Sequence, residues 1–158
     1  MPHRAGLIDL AALLVRGCSK MDNNAMAERI RAIFSSGDPA ALSAAQYEMQ
    51  TDQTVQEWPQ SGEIIRGRDN IRAVNESYDR STGTAPKMTV RRVRQPGEAW
   101  IIEGTIDYGD GVPVSAVSIL ETDSDGKISH ETDYFANPFE APAWRREWVE
   151  SAEPVKSS

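Results

Sequence analysis

The chain has 158 residues, enough for one ordinary domain with its own core, and a formal net charge of −7 at neutral pH. That acidity argues against nucleic-acid binding, because a phosphate backbone needs a basic stripe. One cysteine, Cys18, rules out a disulfide within this sequence and a thiolate metal cage, and the two histidines, His3 and His130, give a histidine-rich metal site or a Ser-His-Asp triad little to work with.

No apolar run approaches the roughly 20 residues that cross a bilayer, so a cytoplasmic protein with no membrane partner is the expectation. Residues 1–20 read as an N-terminal extension, 21–150 as a single domain and 151–158 as a C-terminal tail. Within the domain, Met26, Ile30, Ile33 and Phe34 follow helical spacing over Asp22–Phe34. Gly37-Asp38-Pro39 ends that helix and starts an Ala-rich one reaching about Tyr47, with Asp38 as cap and Pro39 at the first helical position. Thr54–Trp58 reads as a strand stopped by Pro59, and Ile64–Arg66 as a short second strand. A helix follows over about Arg68–Tyr78, with Ile71, Val74 and Tyr78 on one face and Asp69 in its first turn, where the helix dipole favours an acid.

Beyond the loop at 80–87 the period changes from helical to alternating. Met88–Gln95, Ala99–Tyr108, Val112–Glu121 and Lys127–Phe135 read as strands whose short connectors demand antiparallel hairpins. Arg91, Arg92 and Arg94, like Arg145 and Arg146, read as solvated faces. Trp144 and Trp148 stand one helical turn apart and suggest a short helix or arm packed over the sheet. Helices early and antiparallel strands late define an α+β fold, a cone-shaped curved antiparallel sheet with N-terminal helices packed against it and a pocket enclosed.

The last strand carries the chemistry. Side chains alternate along a strand, so Ser129, Glu131, Asp133 and Phe135 share one face. Acids beside a Phe are costly to bury unless something pairs with them or uses them. On Ala99–Tyr108, the face Trp100, Ile102, Gly104, Ile106, Tyr108 reads as core against helices, and the face Ile101, Glu103, Thr105, Asp107 is the candidate cone lining. In that arrangement Glu103 meets Asp133, and two carboxyls in an apolar cavity raise one another's pKa. The acids between Glu121 and Gly126 fit only the first part of a calcium loop and read as a plain hairpin turn, so no metal is expected.

In Glu57-Trp58-Pro59 with Ile64 to Ile71, in the hairpin strands, and in Asp125-Gly126-Lys127-Ile128 leading to Asp133-Tyr134-Phe135, the chain resembles the SnoaL-like polyketide cyclase and ketosteroid-isomerase-like superfamily, whose fold is shared with nuclear transport factor 2. The resemblance covers about residues 22–150. It implies a pocket, a homodimer, and cofactor-independent isomerase, cyclase or epoxide hydrolase chemistry, or a non-catalytic binding or dimerisation module of the same fold. Limonene-epoxide-hydrolase-like members end their final strand in Asp-Tyr-Phe, which gives Asp133 the place of their proton donor. The Arg of those enzymes is absent here, and Val55 and Glu57 stand where they carry Tyr and Asn. Ketosteroid isomerases place a general-base Asp just before a proline. Trp58 occupies that position here, and Glu57 serves only if the register slips by one. The expected catalytic set is therefore Asp133 with Glu103 or Glu57. Trp58, Trp100, Phe135 and, at the pocket rim, Glu131 would hold a small apolar molecule.

Overall fold

The fold was analysed in a computed structural model that describes residues 23–150 and 152, apart from 35, 37, 85, 96 and 97. The extension at 1–20 and nearly all of the tail lie outside these residues. Helix α1 (Asn23–Phe34) turns Ile30, Ile33 and Phe34 inward along one stripe. Asp38 caps α2 (Pro39–Met49) as its sequence demands, with Oδ1 accepting from the backbone N–H of Ala40 at 3.0 Å and of Ala41 at 3.2 Å.

The chain passes from α2 straight into β1 (Gln50–Trp58), which starts four residues before the alternation begins to show. Gln50 to Gln53 are all polar, so no apolar period marks them as strand. After a turn closed by Gly62, β2 (Glu63–Arg66) pairs back on β1. Helix α3 (Arg68–Thr82) follows Gly67 and runs a turn beyond Tyr78, until Gly83 ends it at a positive φ. Then come β3 (Lys87–Arg94), β4 (Ala99–Asp107), β5 (Val114–Thr122) and β6 (Ile128–Ala136) as an antiparallel meander.

The six strands form one curved, unclosed sheet in the order β2-β1-β6-β5-β4-β3. It is antiparallel except in the middle, where β6 returns to lie parallel to β1. Such a pair needs a long crossover, and everything from β2 to β5 supplies it. Ile30, Ile33, Phe34 and Ala45 of the helices pack on Trp100, Ile102, Leu120 and Ile128 of the sheet to form the core. The face Trp100–Ile106 of β4 is therefore the helix-covered face.

The C-terminal segment departs from expectation. Ala143–Trp148 is a 3₁₀ turn with no buried residue, and Trp144 and Trp148 are 73% and 72% exposed. At three residues per turn, positions four apart are offset by a third of a turn, so the two indoles lose the common face an α-helix would give them.

Candidate functional site

Residues directly opposite one another on paired strands share a face. Ile102, Ser118 and Asp133 are opposite in succession across β4, β5 and β6, as are Trp100, Leu120 and Glu131. Both acids of β6 thus lie on the concave, helix-covered face. Across the parallel pair Glu131 stands opposite Gln56.

The β1–β6 register is irregular: β1 runs from Gln50 to Val55 alongside only Ile128 to His130. Thr54, wholly buried, bridges the irregularity by donating from Oγ1 to the Ile128 carbonyl at 2.5 Å. The result is that Gln50 and Gln56, at either end of the irregularity, are both buried and both reach acids of β6.

Asp133 is 4% exposed and accepts three hydrogen bonds. Gln56 Nε2 donates to Oδ2 at 2.7 Å, Trp58 Nε1 to the same oxygen at 3.2 Å, and Ser118 Oγ to Oδ1 at 2.5 Å. Trp58 also packs edge-on to Phe135, ring centres 6.4 Å apart at 75°. Burial raises the Asp133 pKa from its ordinary value, and the hydrogen bonds from Ser118, Gln56 and Trp58 act against that rise. Glu131 is 3% exposed and receives one long hydrogen bond, from Gln50 Nε2 at 3.4 Å. Its pKa is pushed well above the ordinary value, first by burial and then by the charge of Asp133, with Gln50 and Gln56 opposing.

The remaining predicted residues are elsewhere. Glu103 is opposite Val117 and, beyond it, Tyr134, on the outer face of the sheet. It does not meet Asp133. A bulge between Val90 and Arg92 brings two cations to it instead, Arg91 Nη2 at 2.6 Å and Arg92 Nη1 at 3.5 Å. Glu57, next to inward Gln56, also points outward, with Oε1 3.7 Å from His130 Nε2. The one-residue slip that would bring Glu57 inward has not occurred, because Gln56 and Trp58 occupy the inner positions. Trp100 belongs to the core with Ile30 and Phe34 rather than to a ligand wall. Glu131 is no rim residue, since it is as deeply buried as Asp133. The Asp123–Gly126 segment is a hairpin turn in which Asp123 Oδ1 accepts from the backbone N–H of Asp125 and Lys127, both at 2.9 Å.

Sequence reasoning missed Gln50, Gln56 and Ser118. Counting back in twos from Trp58 reaches Gln56, and Val114, Ala116, Ser118, Leu120 form one alternating face of β5, so the signal was periodicity applied to polar residues. A depression of about 600 Å³ on the C-terminal segment, lined by Glu140, Pro142, Arg145, Arg146 and Val149 among others, includes none of the predicted residues.

A protein of nuclear transport factor 2-like fold and unknown function from Burkholderia xenovorans LB400 is 37% identical, with 80% of this chain and 94% of that one covered and a TM-score of 0.66. A ketosteroid isomerase candidate from Kribbella flavida DSM 17836 shares the fold at 24% identity, covering 82% and 93%, with a TM-score of 0.64. A SnoaL-like protein of unknown function from Burkholderia thailandensis E264 shares it at 12% identity, covering 74% and 100%, with a TM-score of 0.60. No curated protein matches by sequence. The SnoaL-like domain family matches residues 27–131, and with that span and the fold in agreement, the chain belongs to the SnoaL-like family.

Proposed function

We propose that the chain binds a small, largely apolar molecule at the end of the concave face marked by Trp58 and Phe135, and acts on it by proton transfer at Asp133. The reaction class is isomerisation, cyclisation or epoxide opening, and the reading requires neither metal nor organic cofactor. The observation that supports it is a carboxyl buried to 4% exposure, fixed by three donors and adjacent to an aromatic pair. A carboxyl whose pKa is raised by burial is better matched to proton transfer than an exposed one. Glu103 and Glu57 take no part, because both side chains face away.

A non-catalytic binding or dimerisation module is the second reading. It is favoured by the engagement of both Asp133 oxygens with protein donors, which leaves the carboxylate already satisfied. A panel of enolisable ketones and epoxides tested on the wild type and on Asp133→Asn separates the two. General acid–base catalysis contributes about 10²–10⁴-fold, so the variant is expected to lose that much in kcat/KM on any substrate found. Turnover by Asp133→Asn at the wild-type rate overturns the catalytic reading.

A further inference from the structure

The polar atoms around the two buried acids do not balance if both acids are ionised. Gln56 stands between them, opposite Glu131 across the strand pair and bonded through Nε2 to Asp133 at 2.7 Å. Its other amide atom, Oε1, is buried without a hydrogen-bond partner. A carbonyl oxygen can only accept, and leaving it unpaired in the interior is costly. Two carboxylates, themselves acceptors only, can offer it nothing. An amide placed between two carboxyls is satisfied when one is ionised, to take the N–H, and the other keeps its proton, to supply the carbonyl.

The surroundings decide which is which. Asp133 has three donors and, as an acceptor, uses them best when ionised. Glu131 has one long hydrogen bond, the 3.4 Å contact from Gln50, and the Gln56 amide acts on it more weakly still, so burial outweighs both. We propose that the pair holds a single proton, that it resides on Glu131 and is donated to Gln56 Oε1, and that Gln56 is the positioning residue linking this neutral acid to the Asp133 carboxylate.

The charges on every side agree. The inner positions of β1 near the pair are Gln50, Thr54 and Gln56, those of β5 are Ser118 and Leu120, and the helices over this face bring Ile30, Ile33, Phe34 and Ala45. None of these is ionisable. Among the described ion pairs none joins Arg29, the partly buried cation of α1, to either carboxyl, and the Tyr108 pKa is raised by burial and by Asp133, which keeps the phenol neutral. Among the described residues nothing cationic therefore compensates a second carboxylate, and burial pushes the Glu131 pKa well up.

The proton's location rests on packing alone. Its catalytic meaning, an acid kept neutral behind a working base, rests on the reading of Asp133 given above. Carboxyl-carbon NMR of the full chain tests the location. One glutamate resonance is expected to stay in the protonated position at a pH where the ordinary glutamates have ionised, and to vanish in Glu131→Gln. Gln56→Met, which removes a donor from Asp133, is expected to raise the Asp133 titration.

Thermal unfolding gives a second readout. A glutamate whose pKa is raised on folding stabilises the protein below its unfolded value of 4.5, and that contribution is lost as pH rises toward the folded value. Glu131→Gln donates to Gln56 Oε1 without titrating. Its midpoint is expected to exceed the wild type's at pH 8, with the gap closing as pH falls to about 4.5. If every wild-type glutamate ionises together near its ordinary value, or if the pH 8 gap is absent, the proposal fails. Because neither measurement uses turnover, a failed substrate screen leaves it intact, and its own failure leaves the Asp133→Asn test intact.

Discussion

Asp133→Ala, compared with Asp133→Asn, tests whether the polar network is built as described. Alanine removes both acceptor oxygens and leaves three donors behind. Gln56 and Ser118 are 5% and 6% exposed and cannot recover their bonds from water, whereas half-buried Trp58 can. An unsatisfied buried donor costs about 1–3 kcal/mol, so two cost about 2–6 kcal/mol. Relief from burying a charge offsets part of this, leaving an expected loss of about 2–4 kcal/mol. Asparagine keeps the network. Its Oδ1 faces Gln56 and Trp58, and its Nδ2 donates to the Ser118 hydroxyl, which rotates to accept. The expected loss is then about 1 kcal/mol or less, the difference between charged and neutral acceptors offset by the removed charge. Urea unfolding at neutral pH, with circular dichroism to check the fold and equal slopes to validate the comparison, reads both values. If the alanine variant matches the asparagine variant within about 0.5 kcal/mol, the donors around Asp133 do not depend on it, and the reasoning from their burial is wrong.

Gly104→Ala drives a Cβ into the Thr89 carbonyl oxygen, a backbone atom that cannot step aside. Overpacking of this kind costs about 1–3 kcal/mol, which for a chain of this length lowers the thermal midpoint by about 2–12 °C; an unchanged midpoint would show that β3 and β4 are less closely apposed. Glu103→Gln removes a largely surface ion pair with Arg91 and is expected to cost under about 1 kcal/mol in urea unfolding and to leave kcat/KM unchanged. A tenfold loss of activity would return Glu103 to the site.

The α+β order was legible because each element carries its own period. Ile30, Ile33 and Phe34 mark a helix, Asp38-Pro39 marks a start, and the meander alternates between short turns. The polar beginning of β1, Gln50 to Gln53, escaped because it carries no apolar side chain, and its one buried residue, Gln50, reaches Glu131 through a hydrogen bond instead. The arm around Trp144 escaped because helical spacing in the sequence does not fix which kind of helix forms.

The sequence alone determined that Glu131 and Asp133 share a face, since alternation along one strand is a property of the backbone. It could not determine which face of β4 they join. That depends on register, and pairing Ser118 with both Ile102 and Asp133 puts Glu103 on the outside. Nor could it show that Gln56 lies between the two acids, because β1 and β6 are more than 70 residues apart and meet only through a parallel crossover whose irregular register is fixed by Thr54. Local periodicity decides what each strand can present, and long-range pairing decides what it presents it to.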